Sequence, residues 1–221
     1  MTSDSSNANV AERAFADSAL LGEDERLSDR VLFFRKFLAK GRGISSAVPS
    51  SRQMVSGILR HVDFSRPATI VELGAGTGPV TEQILERLRP FHRFVAVEND
   101  PDFCDILRRR FPDTTLLQVD ASRVAEPLAS MGIHRVDYVL SGLPTPNLPA
   151  RAAVRLWRWL LASLASDGTF VQLTLAPLVY RAFYNRLFGS VDYQMVWRNF
   201  PPGGVYCCSR PRPHLSKRSR S

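Results

Sequence analysis

Short apolar runs alternate with amphipathic stretches through the middle of the chain. From residue 68 onward, five runs each predict a strand: "ATIVEL", "RFVAVEN", "TTLLQVD", "VDYVLSGLP" and "GTFVQLTL". Helical patterns over 79–88, 101–111 and 149–165 follow the first, second and fourth runs. Because strands and helices alternate, the pattern predicts an α/β fold in which a parallel sheet carries helices on both faces.

The last part of the chain has a different pattern. "LVYRAFYNRLF" places aromatic residues at helical spacing, and "DYQMVWRNF" and "GVYCCS" then flank "PPGG". Two β-rich runs around a Pro-Gly turn predict an antiparallel hairpin with a loop. The parallel pattern is therefore expected to end in an antiparallel C-terminal hairpin.

Composition divides the chain into four segments. Residues 1–27 are polar and predict a disordered segment. Residues 28–67 predict amphipathic helices that contact a membrane and cover a cofactor, residues 68–209 the α/β core, and residues 210–221 a basic tail. We see neither an apolar run of about 18 residues nor a secretory signal pattern, so we expect a cytoplasmic protein.

The charge indicates the kind of partner. The formal net charge is +8 and the isoelectric point is near 10.0, which favours a polyanion, either nucleic acid or an anionic membrane surface. Three cysteines without a CxxC pair predict neither a disulfide framework nor a zinc site, and we expect no bound metal.

A glycine-rich turn, "IVELGAGTGPVTEQIL", links the first strand to the first helix of the core. A dinucleotide fingerprint would need a third glycine where Pro79 stands, and a P-loop would need a lysine that this stretch lacks. Glu72 directly before the turn disfavours a pyrophosphate and favours a cationic amino-acid group. Glu98 and Asp120 at the next two strand ends suit ribose hydroxyls and an adenine amino group. This set predicts S-adenosylmethionine, although Glu72 alone could interact with a helix N-terminus and Asp120 alone could cap a helix.

Residues 68–209 resemble the Rossmann-like S-adenosylmethionine-dependent methyltransferases. The resemblance implies a seven-stranded sheet with a reversed last strand. It also implies that the glycine turn holds the methionine end of the cofactor. The cofactor-binding residues that we expect are Glu72, Gly74, Gly76, Gly78, Glu98, Asn99, Asp120, Ala121 and Ser141.

The turn after the fourth strand, "SGLPT", is where the methyl acceptor is expected. Adenine and amide N-methyltransferases hold Asn or Asp here, then Pro-Pro or Leu-Pro, then an aromatic residue that stacks on a flipped base. This chain has Ser141 or Gly142 at the first position and Thr145 at the aromatic one. "VELGAGTGPVTEQILERL" and "VAVENDPDFCDILRRRF" nonetheless resemble the first two motifs of the rRNA adenine dimethyltransferases. RNA adenine N-methylation therefore stays an alternative.

A more extensive resemblance, from about Phe33 to Arg210, is to the bacterial phospholipid N-methyltransferases. It rests on "SSAVPSSR", "VELGAGTGPVT", "ENDPDFCDILRRRFP", "SGLPTPNLP" and "WRNFPPGGVY", in that order. It implies methylation of phosphatidylethanolamine, and of its mono- and dimethyl forms, toward phosphatidylcholine. The chain departs from that family at Thr145 and Pro146, where bulky apolar residues are more usual.

The aromatic stretch near residue 180 offers candidates for the amine acceptor. We expect Tyr180 to contact the amine, and Arg181 or Arg186 to bind a lipid phosphate. The alternatives are core packing for the aromatic residues and a solvated surface for the arginines. The predicted substrate-binding residues are Gly142, Leu143, Pro144, Tyr180, Arg181 and Arg186.

The segment "RVLFFRKFLAK" at 30–40 predicts an amphipathic helix. Its phenylalanines fall on one arc of about 160°, and its cations fall largely on the other. That pattern is typical of a helix at a membrane interface, although the same arc could pack on the protein's own core. The predicted membrane-binding residues are Phe33, Phe34, Arg35, Lys36, Phe37 and Lys40. We therefore expect a monomer that lies peripherally on the inner face of the cytoplasmic membrane, with an anionic phospholipid surface and no nucleic acid as its partner.

Overall fold

The computed structural model describes residues 49–145, 148–174, 180–196 and 203–212. Seven strands form one sheet: β1 Thr69–Leu73, β2 Arg93–Glu98, β3 Leu116–Gln118, β4 Val136–Ser141, β5 Leu164–Thr174, β6 Phe188–Val196 and β7 Gly203–Pro211. The helices are α1 Pro49–Leu59, α2 Pro79–Leu85, α3 Pro101–Arg110, α4 Ala125–Ser130, α5 Ala150–Ser163 and α6 Arg181–Leu187, with a 3₁₀ helix at Ala121–Arg123.

The order of the strands across the sheet is β3-β2-β1-β4-β5-β7-β6. β1 lies between β2 and β4 in parallel pairing, with Val71 opposite Val95 on one side and Val139 on the other. β7 is antiparallel to both β5 and β6. The predicted Rossmann-like methyltransferase sheet and its antiparallel C-terminal hairpin are confirmed.

Each central strand is buried on both sides, as an apolar run in a parallel sheet requires. Successive residues point to opposite faces. Ile70 therefore packs in a core with α1 and α2, whereas Val71 packs in a core with α5 and α6. Both faces of the sheet are thus covered by helices. The carboxyl ends of β1, β2 and β4 form one edge, and the loops that leave this edge carry most of the predicted site residues.

Several predicted boundaries were wrong. The first core helix ends at Leu85 rather than 88, and β5 begins at Leu164, ahead of the register shift in its pairing with β4. The aromatic stretch is helical only to Leu187, and β6 begins at Phe188. Phe183, Tyr184 and Phe188 are buried, because they surround Trp157 of α5 with ring centroids 5.4 to 6.5 Å away. Core packing explains these three aromatic residues.

Some predictions fall on residues that the structure does not describe. They include the segment 1–27 and the six membrane-binding residues Phe33, Phe34, Arg35, Lys36, Phe37 and Lys40. Pro146 and most of the basic tail also lie outside the described residues. Within the described ranges, no helix has the length and apolar character needed to cross a membrane.

Candidate cofactor and acceptor site

The glycine turn adopts a backbone that few other residues tolerate. Gly74, Gly76 and Gly78 have φ values of 75°, 58° and 88°, all in the left-handed region. A Cβ atom on Gly78 would lie 2.5 Å from Cε2 of Phe111. The turn is fixed to the sheet because the Gly74 N–H donates a hydrogen bond to the Val97 carbonyl at 2.8 Å. The glycines therefore form a rigid turn with little side-chain bulk at the carboxyl edge of β1.

Glu72 lies beneath this turn and is 4% exposed. Its Oε2 atom accepts a hydrogen bond from the Thr81 hydroxyl at 2.7 Å, in the first turns of α2. Burial raises the pKa of this carboxyl to about 7, and the neighbouring Glu98 adds to the effect, whereas the Thr81 hydrogen bond opposes it. Among the described residues, no Lys or Arg lies within ion-pair distance of Glu72. A carboxylate in these surroundings is stabilised by a cation delivered by a ligand.

Glu98 at the end of β2 is also buried, and backbone amides surround it. Its Oε2 atom accepts from the Gly76 N–H at 2.9 Å. Its Oε1 atom accepts from the amides of Asn99 and Asp100 at 2.8 and 2.9 Å. Glu98 therefore joins the end of β2 to the glycine turn. Its predicted contact with a ribose remains a prediction.

Asp120 follows β3 by two residues and is exposed. Its Oδ1 atom accepts from the Ser122 N–H at 2.7 Å and so caps the 3₁₀ helix. Asp120 therefore caps a helix, as the alternative interpretation of this residue predicted. It also lies at the same carboxyl edge of the sheet as Glu98. Ala121 beside it is buried, and Ser141 ends β4 at this edge, where its hydroxyl accepts from the Leu143 N–H at 3.2 Å.

The predicted acceptor turn lies against the glycine turn. The Gly142 N–H donates to the Leu73 carbonyl at 3.0 Å, and Leu143 lies so close that a Cβ on Gly74 would be 2.6 Å from its Cδ2 atom. Pro144 continues the same turn and is half-buried. The glycine turn and the acceptor turn, which the sequence predicted separately, are thus neighbours in the folded chain.

A buried polar network beneath the acceptor turn was missed by sequence reasoning. Gln172 of β5 is 1% exposed, and its Nε2 atom donates to the carbonyls of Ser141 and Leu143 at 3.2 and 2.6 Å. Its Oε1 atom accepts from the Thr145 hydroxyl at 2.7 Å, which lies 3.2 Å from the Tyr184 hydroxyl. The available signal was Gln172 itself, because an amide inside an apolar strand must find partners.

Arg110 at the end of α3 is a second group that sequence reasoning missed. Its guanidinium donates to the Thr77 carbonyl in the glycine turn, pairs with Glu82 at 3.1 Å and lies 4.7 Å over the Phe111 ring. It therefore fixes the outer side of the turn. A single arginine within the run "RRR" carries no sequence signal that separates it from its neighbours.

The predicted acceptor residues around α6 are only partly brought together. Tyr180 directly precedes α6, is half-buried and packs against the core, and its carbonyl accepts from the Tyr184 N–H at 3.0 Å. It thus lies one helical turn before the network that holds the acceptor turn. Arg181 and Arg186 are exposed on α6. Five positions on a helix separate two side chains by roughly 140°, so these two arginines do not form one site.

This sheet order, glycine turn and set of acids define a Rossmann-like methyltransferase whose cofactor is S-adenosylmethionine. The N-methyltransferase NodS from Bradyrhizobium japonicum, solved with S-adenosyl-L-homocysteine, has the same fold with a TM-score of 0.60 and 12% identity. The match covers 81% of this chain and 99% of that one. A family model described as ribosomal RNA adenine dimethylase matches residues 48–127.

Relatives in sequence define the family. An ornithine lipid N-methyltransferase of Singulisphaera acidiphila is 39% identical over 185 residues, which cover 82% of this chain and 96% of that protein. The chain belongs to the methyltransferase family that contains that protein. The mitochondrial ribosomal RNA small subunit methyltransferase of Arabidopsis thaliana is 27% identical over 124 residues, which cover 53% of this chain and 31% of that protein.

The residues present fit S-adenosylmethionine. The turn consists largely of glycine backbone in the left-handed region, which lets a ligand approach the main chain closely. Glu72 supplies a buried negative charge beside that backbone, which suits the positive charge of the methionine end. Glu98 and Asp120 place carboxylates at the following two strand ends, where open α/β sheets bind nucleosides. No phosphate-binding lysine is needed, because this ligand carries no phosphate.

Proposed function

We propose that this protein methylates the headgroup amine of a membrane lipid, with phosphatidylethanolamine and its mono- and dimethyl forms as acceptors on the way to phosphatidylcholine. One observation carries the proposal. The match to the ribosomal RNA adenine dimethylase model ends at residue 127, before the acceptor turn begins at Ser141. The match to the lipid-modifying relative spans 82% of this chain. Ribosomal RNA small subunit methyltransferases such as the Leptothrix cholodnii protein match less of this chain and at lower identity, 24% over 67% of the chain. The more extensive match to the lipid-modifying relative therefore supports a lipid acceptor.

The acceptor turn itself argues against a flipped base. Thr145 occupies the position at which a stacking aromatic would be expected, and its side chain is fully buried and bonded to Gln172 and Tyr184. A side chain held in the core offers no surface for a base to stack on. An aliphatic amine needs no such surface.

Ornithine lipid is a second acceptor that a specific observation favours, because it is the substrate in the name of the 39% identical relative. Both acceptors are acylated membrane lipids whose headgroup carries a primary amine. They differ in the anionic group beside it, a phosphate in one and a carboxylate in the other. The residues that contact this group would therefore decide between them.

We assign roles to residues as follows. Glu72, the glycine turn, Glu98 and Asp120 hold the cofactor, together with Asn99, Ala121 and Ser141. When bound, S-adenosylmethionine supplies a methyl group on a sulfonium for in-line transfer to nitrogen. The turn Gly142–Leu143–Pro144 orients the amine, and Tyr180 contacts it, where an aromatic face would also hold the cationic products. The amine, with an ordinary pKa of roughly 10, must lose its proton before it attacks, and exclusion of water lowers that pKa.

Membrane contact is assigned to the segment 30–40. Its three phenylalanines on one arc and its cations on the other support insertion into the headgroup region on the inner face of the cytoplasmic membrane. Changing Phe33, Phe34 and Phe37 to Ser should reduce vesicle binding by at least tenfold and leave binding to RNA unchanged. An unchanged vesicle affinity in this variant would contradict the assignment.

The function is tested with labelled S-adenosylmethionine and three acceptors in parallel: phosphatidylethanolamine vesicles that contain an anionic lipid, ornithine lipid vesicles, and unmodified ribosomal RNA. Label in a lipid headgroup supports the proposal and identifies the acceptor. Label in RNA alone contradicts it and favours the RNA adenine alternative.

A further inference from the structure

A groove on the outer surface, about 680 Å³ in volume, runs between the 3₁₀ helix, α4 and α5. It lies on the face of the sheet that α5 covers, and its lining residue Ser122 directly follows Ala121 of the predicted cofactor site. Its charged and aromatic lining consists of Arg123, Glu126, His134, Arg155, Arg158 and Trp159. Three arginines against one glutamate give the groove a positive charge.

The arginines continue along α5 as a row. Arg151, Arg155 and Arg158 are spaced at i, i+4 and i+7, so they lie on one side of the helix. The opposite side is buried, with Leu156 and Leu160 in the core. The sequence of α5 contains no acidic residue. The exposed side of α5 is therefore a uniformly cationic surface about 10 Å long.

These arginines are not neutralised by the protein. Among the described residues, Arg123, Arg151 and Arg158 make no ion pair, and the Arg155 guanidinium donates to the Ser122 hydroxyl at 3.2 Å. Arginines on the other face of the sheet differ, since the side chains of Arg87 and Arg108 lie 3.6 and 2.9 Å from Glu86 and Asp105. A cluster of like charges without internal partners is stabilised by an external anion.

The remaining lining favours a phospholipid over a nucleic acid. Trp159 is half-buried beside the arginines, and small apolar residues, Ala125 and Ala162, complete the lining. Tryptophan next to arginine is typical of side chains at a membrane interface. Single-stranded nucleic acids bind best where several aromatic rings are available for stacking, and Trp159 is the single Phe, Tyr or Trp side chain in this lining.

We propose that this groove binds the phosphate of an anionic phospholipid and so docks the α5 face of the protein on the membrane. Arginine suits this role because its guanidinium binds phosphate oxygens in pairs. α5 begins five residues after Thr145, so the row of arginines lies on the element that follows the acceptor turn in the chain. The proposal rests on the lipid substrate proposed above, and it adds a contact surface separate from the segment 30–40.

The experiment measures sedimentation of the full chain with vesicles of phosphatidylethanolamine, with and without phosphatidylglycerol. The variant R123Q/R151Q/R158Q leaves Arg155 in place, so its hydrogen bond to Ser122 is kept. The matched control R87Q/R108Q/R109Q removes the same number of charges from α3 and from the turn that follows α2, on the opposite face. At about fivefold per arginine, we expect the groove variant to lose on the order of 100-fold in affinity for the anionic vesicles.

The control variant should lose less than threefold, and the opposite change, Glu126→Gln, should tighten binding about fivefold. Equal losses in the groove and control variants would overturn the proposal. So would a groove variant that keeps its vesicle affinity and loses binding to a single-stranded RNA oligonucleotide.

Methylation of phosphatidylethanolamine in neutral detergent micelles is measured alongside. The groove variant should retain wild-type micellar activity, because no charged surface has to be bound. If the wild-type protein shows no micellar activity on any lipid, the proposed function fails. The comparison of the two triple variants on vesicles still decides the role of the groove.

Discussion

The cofactor half of the molecule, which comprises β1 to β3 and their loops, differs in construction from the acceptor half, which comprises β4, β5, α6 and the acceptor turn. In the cofactor half, β1 to β3 end in a bare glycine turn and three acids, and this half matches the model described for rRNA adenine dimethylases. In the acceptor half, a buried amide, Gln172, ties the turn after β4 to the core. The acids of the first half also bond to protein groups, but they lie at the strand ends predicted to meet a ligand. The polar groups of the second half bond to one another and to backbone carbonyls beneath the acceptor turn. A shared cofactor site therefore says little about the acceptor.

The largest effect is expected at the cofactor half. Glu72→Gln keeps the shape of the side chain and removes its charge, so affinity for S-adenosylmethionine should fall on the order of 100-fold, as for a buried charge-assisted contact. Titration calorimetry measures this loss. The control Glu86→Gln, on an exposed carboxylate, should bind the cofactor as the wild type does. An unchanged affinity in Glu72→Gln would mean that the buried acid does not face the ligand.

The next effect should be confined to the acceptor half. Gln172→Leu leaves the Ser141 and Leu143 carbonyls and the Thr145 hydroxyl without their partner, which costs about 3 kcal/mol in the free energy of unfolding. We expect turnover on lipid to fall about 30-fold, while affinity for S-adenosylmethionine changes less than threefold. Thr145→Val, which removes one hydroxyl of the network, should show the same pattern at about half the loss in stability.

A loss of cofactor affinity as large as the loss of turnover in Gln172→Leu would show that the two halves are not independent. Denaturant unfolding and steady-state kinetics, measured on the same preparations, separate these outcomes.

A smaller effect is a pH dependence confined to the cofactor half. Burial raises the pKa of Glu72 to about 7 from an ordinary value of 4.5, so the carboxyl holds a proton in the cofactor-free protein at pH 6. A cationic ligand favours the ionised form, so affinity for S-adenosylmethionine should rise about fivefold from pH 6 to pH 7. The same pKa means that the cofactor-free protein loses stability as the pH rises from 4.5 through 7. Both trends should disappear in Glu72→Gln.

The smallest effect compares two glycines of similar backbone. Gly78 and Gly132 have φ values of 88° and 70°, so alanine at either position strains the backbone by about 1 to 2 kcal/mol. A Cβ on Gly78 also meets Phe111, whereas one on Gly132 has open space around it. Gly78→Ala should therefore weaken cofactor binding about threefold, and Gly132→Ala should not. If Gly78→Ala and Gly132→Ala bound the cofactor equally well, the glycine turn would not be tightly fixed by its contact with Phe111.

Sequence reasoning could predict the cofactor and the residues that would hold it because the chemistry of the cofactor half is local. The glycines and Glu72 lie within one short stretch, and Glu98 and Asp120 follow at strand ends that a parallel sheet aligns at one edge. The acceptor half could not be predicted in the same way. Thr145, Gln172 and Tyr184 are far apart in sequence and meet only in the folded chain, and the aromatic stretch around residue 184 fits both a helix and a core strand.

The central claim is that the acceptor is a lipid amine. The most direct measurement is mass spectrometry of lipids from a bacterial host whose membranes contain phosphatidylethanolamine but no phosphatidylcholine, after expression of this chain. The account predicts phosphatidylethanolamine species heavier by one, two or three CH₂ units, absent when Glu72→Gln is expressed. Unchanged headgroups, together with new methyl groups on ribosomal RNA adenines, would contradict it.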